Sequence, residues 1–161
     1  MTIPWEDGHV LLRNETVSSN LPGLRSTLRQ LELEQPGPGG RRIAVLGQVN
    51  GLGSSMVKEM TALGREAECS LVDRFYTIGS DIRIFNEAIS DRSRVAPHFQ
   101  TLEQLEKSLR AELHAGDIVV FKASRAPETI SLRVLLKNLI GDSSPVSETG
   151  PSAIPTPARR I

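Results

Sequence analysis

One stretch limits what this chain can fold into more than any other. RIAVLG, Arg42 to Gly47, is apolar from Ile43 to Leu46 and stops at a glycine. It is too short for a helix and apolar at every interior position, so it predicts a strand covered on both faces. Gly51 and Gly53 follow, and from about Ser54 to Ser70 the residues Met56, Met60 and Leu63 share one helical face. A doubly covered strand leading into a crossover helix is the unit of a parallel sheet.

The same alternation runs along the chain. HVLLR (9–13) predicts a strand, and Leu21, Leu24, Leu28 and Leu31 a helix with Asn20 as N-cap and Pro22 in its first turn. The run QPGPGG stops that helix. RFYTIG (74–79) predicts a strand and SDIRIFNEAI a short helix. VAPHF (95–99) predicts a weaker strand at an edge, because Pro97 has no N–H to give a ladder. Thr101 and Gln104 form a capping-box pattern ahead of Leu102, Leu105, Leu109 and Leu113. GDIVVFK (116–122) is a second buried strand, and Leu132, Leu135, Leu136 and Leu139 mark a last helix that Gly141 is placed to end.

The expected fold is therefore α/β: a Rossmann-like open, mainly parallel sheet of five strands with helices on both faces. Residues 1–7 read as an N-terminal extension, 8–141 as the domain, and the Pro- and Ser-rich 142–161 as a flexible tail. The length of 161 residues suits one such domain. Lys plus Arg and Asp plus Glu both number 19, so no basic surplus points to nucleic acid or an anionic membrane surface. No apolar run approaches the roughly 20 residues of a membrane span, and the start lacks the pattern of a signal peptide. A cytoplasmic location is expected. Cys69 is the only cysteine, which excludes an internal disulfide; in a helical stretch it reads as a small core residue.

Ligands of open α/β sheets collect beyond the carboxyl ends of the strands. The loops after Leu46, Ile78 and Lys122 are the candidates. The first is not a P-loop, because Ser54 and Ser55 follow Gly53 where Lys and Ser or Thr are required. Nor does the spacing of Gly47, Gly51 and Gly53 match G-x-G-x-x-G. The loop either receives an anion at backbone N–H groups near Ser54 or is a turn needing positive φ. After Phe121, the residues Lys122, Ser124 and Arg125 bring two cations and a hydroxyl into one loop, a set suited to a carboxylate or phosphate. Arg13, Asn14 and Glu15 end another strand; Glu15 has the chemistry of an acid, a base or a Mg²⁺ ligand, but a single carboxylate on a surface loop reads first as a solvated group. His9, His98 and His114 lack metal-ligand spacing and read as structural or exposed.

GRRIAVLGQVNGLG, FYTIG, HF at 98–99 and AGDIVVFKASRA, in that order and with the closing helix, resemble the C-terminal domain of the Mur ligases. The nearest branch adds D-alanyl-D-alanine to a UDP-muramoyl tripeptide in bacterial peptidoglycan synthesis (MurF). That branch reads G-R-R-I-A-V-L-G-D-M-x-E-L-G in the first motif and G-D-x-V-L-V-K-G-S-R in the later one. VLLRNETVSSNLPGLR also aligns without gaps on its V-T-L-I-D-D-S-Y-N-A-N-P-x-S-M-R. The resemblance implies one part of a three-domain ATP-dependent ligase that makes an acyl phosphate and lets an amine attack it, with Mg²⁺ assisting. The P-loop of that enzyme lies in another domain.

By this resemblance Lys122, Ser124 and Arg125 bind a substrate carboxylate or a phosphate. Gly47, Gln48, Asn50, Gly51 and Gly53, with Asn20, line the cleft. Val17 and Ser18 replace the branch's Tyr and first Asn, and four further positions depart from the pattern. Asn14 and Glu15 stand where the branch has two aspartates, Gln48 stands for another, and Ala123 replaces a glycine. The expectation is a domain excised from a ligase or one piece of a split enzyme, with no catalytic residue, metal site or cofactor of its own. ATP and Mg²⁺ enter only with a P-loop partner, and an amino acid or dipeptide is the small ligand. The alternative is a non-catalytic module of the same ancestry that binds a partner protein or small ligand. A dinucleotide oxidoreductase is opposed by the glycine spacing.

Overall fold

The structure, a computed structural model, describes residues 1–16, 20–123 and 127–142, with backbone alone at 127–131 and 142. Two strands open the described chain, β1 (Thr2–Trp5) and β2 (Gly8–Glu15), followed by α1 (Leu21–Leu33) and β3 (Arg42–Leu46). Then come α2 (Met56–Glu68), β4 (Arg74–Thr77), α3 (Ile82–Ala88) and α4 (Leu102–Glu112). Strand β5 (Ile118–Lys122) and helix α5 (Pro127–Asp142) complete it. The sheet order is β1-β2-β5-β3-β4, parallel throughout except for the antiparallel pair β1–β2.

The apolar runs behave as doubly covered strands do. Ile43 and Val45 of β3, with Val119 and Phe121 of β5, pack against the leucines of α4 and α5. Ala44 and Leu46, with Ile118 and Val120, pack against α1, α2 and α3. Every residue of β5 is buried, so the last strand in sequence is the middle strand in space. Helix α1 begins as expected: the Asn20 side chain accepts the Gly23 N–H at 2.8 Å. Thr101 caps α4 through the Gln104 N–H at 3.3 Å.

Five details differ from the sequence reading. The segment 1–7, expected to lie ahead of the domain, contributes β1, whose Ile3 is buried and whose Trp5 indole donates to the Leu113 carbonyl at 3.0 Å. Residues 95–99 form no strand. They touch β4 at two isolated bridges, with Ala96 N–H donating to Phe75 and Phe99 N–H to Thr77, and Pro97 between them. Helix α2 is entered through a 3-10 turn at Gly53–Ser55, and α5 runs through Gly141 to Asp142 instead of stopping there. Cys69 is exposed at the end of α2, because the helix's buried face is Met60, Leu63, Gly64 and Ala67.

The amino ends of the two central strands are joined by charge. Asp117, wholly buried at its side chain, binds the Arg41 guanidinium at 2.9 Å and accepts the backbone N–H groups of Arg41 at 2.8 Å and His114 at 2.9 Å. Removing the carboxylate strands these donors. Asp117→Ala is expected to lower stability by about 3 kcal/mol, the low end for a broken buried pair because Arg41 keeps some solvent contact. Asp117→Asn, which keeps an acceptor, should cost less. Urea unfolding checks the order of the two variants; equal losses would contradict the role given to the charge.

Candidate functional site

The carboxyl end of the sheet is set by register. Lys122, the last residue of β5, pairs with Glu15 on β2 and with Leu46 on β3. Alternation along β5 turns Lys122 to the α1 side, where its side chain is 10% exposed. Its Nζ lies 3.7 Å from Glu15 Oε2, and it stands 3.8 Å from the place a β-carbon on Gly23 would occupy, beside the first turn of α1. The same Glu15 oxygen accepts the hydroxyl of Thr27 on α1. At 3.7 Å the two charges attract without a hydrogen bond, so Glu15 balances Lys122, whose N–H donors are engaged by no other side chain among the described residues. A cation held in this way, next to the amino end of a 13-residue helix, suits an anionic group.

Beside it, the turn after β3 is tight. Gly47 N–H donates to the Lys122 carbonyl at 2.8 Å. A β-carbon on Gly47 would fall 2.7 Å from the Ala123 side chain, so glycine is required for the two strand ends to meet. Gln48 leaves this corner: its Nε2 donates to Asp81 Oδ2 at 3.2 Å, just before α3, and its β-carbon lies 3.6 Å from where one on Gly79 would be. Gly51 and Gly53 have φ of +83° and +50° with nothing within 4 Å of an added β-carbon. Between the two sequence readings of this loop, the positive-φ turn describes those two glycines.

Of the expected site residues, Lys122, Gly47 and Asn20 come together. Asn20 is committed to capping, however, and adds structure more than a free polar group. Asn50, Gly51 and Gly53 are exposed and lie along the loop beyond that corner. Gln48 faces Asp81. Ser124 and Arg125 lie outside the described residues, as does 143–161 of the expected tail. Asn14 folds onto its own turn, accepting the N–H and hydroxyl of Thr16 at 3.1 and 2.7 Å.

Glu15 is the residue that sequence reasoning passed over. Read as a solvated carboxylate, it is the counter-charge of Lys122. The signal lay in the alignment: it occupies the second aspartate position of the family motif and keeps the carboxylate, one methylene longer. Among the described residues no group of three or more His, Cys, Asp or Glu is placed to hold a metal ion, and no helix is long and apolar enough to cross a membrane.

A groove of about 730 Å³ lies between α1 and α2, lined by Arg25, Leu28, Arg29, Leu63, Glu66 and Cys69 among others. It holds none of the carboxyl-end residues. Its Arg25 is held by Glu66 through two hydrogen bonds at 2.8 and 2.9 Å, which keeps the Glu66 carboxyl below its ordinary range. The strand-end corner is the better candidate because its cation is buried and its donors are not used up.

Known proteins share this fold. The sequence profile of the family described as "Mur ligase, glutamate ligase domain" matches residues 16–125, more than half of the chain. A MurF ligase from Thermotoga maritima, solved in complex with ADP, superposes with a TM-score of 0.69 at 19% identity over 88% of this chain and 31% of its own. MurF from Acinetobacter baumannii gives 0.65 at 18% identity, over 88% of this chain and 29% of its own. The chain thus spans less than a third of the enzymes whose fold it shares. The matched profile, the strand order and the shared fold agree: the chain belongs to the Mur ligase family and carries its C-terminal domain, of the kind found in MurF.

Proposed function

We propose that this chain is the closing domain of a Mur-type ATP-dependent amide ligase, excised or encoded as one part of a split enzyme, working in the cytoplasm and inactive alone. The observation that carries the reading is the buried Lys122 ammonium, balanced but not hydrogen-bonded by Glu15, at the carboxyl end of the sheet. A ligase of this class handles anions at each step: a nucleotide phosphate, an acyl phosphate and the carboxylate of the amine substrate. A fixed cation in a corner of low dielectric stabilises such charge without reorganising. Ser124 and Arg125, next along the same loop, are proposed to complete the anion contact, with an amino acid or dipeptide as the small ligand. ATP and the P-loop that activates the acyl group belong to a partner domain.

A second reading has its own support. Gln48 stands at a family aspartate position and is spent on Asp81, and Asn14 stands at another and is spent on Thr16. Two carboxylates of the pattern are thus replaced by amides that serve the fold. This favours a non-catalytic module that keeps the anion corner and binds a ligand or partner protein.

Mixing separates the readings. Combined with a P-loop Mur ligase domain lacking its own C-terminal domain, the chain is expected to restore ATP hydrolysis that depends on an added amine substrate. A mixture that shows no hydrolysis and no association would overturn the ligase reading. The corner itself is tested by two variants of opposite sign, followed by calorimetric titration with inorganic phosphate and with D-alanyl-D-alanine. Lys122→Met should weaken anion binding about tenfold or more, the worth of one charged hydrogen bond. Glu15→Gln removes the counter-charge, so it should tighten binding while lowering stability by about 1–3 kcal/mol. If both variants weaken binding equally, the pair is structural only.

A further inference from the structure

Away from that corner, the outer end of β4 carries a polar network whose protons can all be placed. Arg92 donates to Asn86 Oδ1 at 2.8 Å. The Asn86 amide nitrogen gives its two hydrogens to the Ala96 carbonyl at 3.1 Å and to Thr77 Oγ1 at 2.8 Å. The Thr77 hydroxyl is thereby an acceptor on one side and has its own proton left to give, and His98 Nδ1 lies 3.0 Å away. Thr77 and Asn86 are buried, so no water replaces a missing partner without the segment opening. The chain of donors assigns His98 the neutral tautomer with its hydrogen on Nε2.

A proton added to Nδ1 breaks this order. The imidazolium can then only donate toward Thr77 Oγ1, and the threonine's own proton, at a wholly buried side chain, loses its acceptor. The consequence falls on residues 95–99, which cover the outer edge of β4. Two of their own amides hold that edge, Ala96 to Phe75 at 2.9 Å and Phe99 to Thr77 at 3.0 Å, and Pro97 has no N–H to add a third. Two side-chain hydrogen bonds of the segment, Asn86 to the Ala96 carbonyl and Thr77 to His98, belong to the network; Val95, Ala96 and the Phe99 ring, stacked on Tyr76, are its apolar anchors.

We propose that His98 is an acid-sensitive catch: protonating it releases Val95–Phe99 from β4 and uncovers the edge of the sheet. The charged groups facing the ring come from α3, where Arg83 and Glu87 are paired at 2.7 Å, and from Arg92 behind Asn86. Burial, and then Arg83, hold the imidazole below its ordinary value of 6.5, while Glu87 opposes them. The sign follows. A histidine depressed in the folded state contributes stability that is present above 6.5 and is lost as pH falls from there toward the folded value. Each unit of depression corresponds to an increase of about tenfold in local opening once the pH is below both values.

Amide hydrogen exchange of Ala96 and Phe99, corrected for intrinsic rate, tests this at about pH 7.5 and about pH 5. In the wild-type chain protection of these amides should fall at the lower pH, by up to about thirtyfold at pH 5, while the amides of β5 hold theirs. His98→Gln keeps an acceptor for Thr77 but does not titrate, so its protection should be the same at both values. Carbon-13 shifts of the wild-type ring read the titration directly and do not depend on the variant folding. A His98 midpoint at or above 6.5, or equal acid loosening in wild type and His98→Gln, would overturn the proposal.

Discussion

The register of β5 between β2 and β3 is the constraint on which the rest depends. It sets Glu15, Lys122 and Leu46 side by side at one end of the sheet. A slip of one residue would exchange the two faces of β5, turning Val119 and Phe121 toward α1 and moving Lys122 into the apolar layer beneath α4 and α5. Burying an unpaired ammonium there is costly enough to exclude that register. At the other end of the strand Asp117 ties β5 to Arg41 ahead of β3, so the same register is held from both ends. The candidate site is a consequence of how the core packs, not an addition to it.

Most of the fold was legible because its signals are local. Apolar runs bounded by glycine gave β3 and β5, and leucines at helical spacing gave α1, α4 and α5. What was missed depends on partners distant in sequence. Thr2–Trp5 carries Pro4 and has no long apolar run, yet it pairs residue for residue with Gly8–Leu11 and buries Ile3. VAPHF has strand-like residues, but Pro97 interrupts the ladder and leaves two bridges. Cys69 sits one position past the end of α2, where the helical period no longer points inward.

The place of Lys122 was legible, and its pairing was not. A lysine at the end of a buried strand marked the corner, and the Mur ligase motifs indicated the fold around it. That Glu15 belongs to it could be seen only when two strands far apart in sequence lay next to each other. Gln48 shows the converse. Its place in the motif marked it as informative, and the structure gives it a partner, Asp81, that no spacing rule indicates. The difference between an ancestral ligase site and a retained binding corner therefore rests on side chains facing one another across loops.

One measurement bears most directly on the central claim that this corner receives an anionic ligand. Backbone amide shifts of the isotopically labelled chain, followed during addition of ADP and, separately, of D-alanyl-D-alanine, report where each ligand sits. The account predicts that at least one ligand shifts Gly23, Gly47 and Lys122 together while leaving Arg65 and Cys69 in the α1–α2 groove unmoved. Shifts confined to that groove, or none with either ligand, would contradict it.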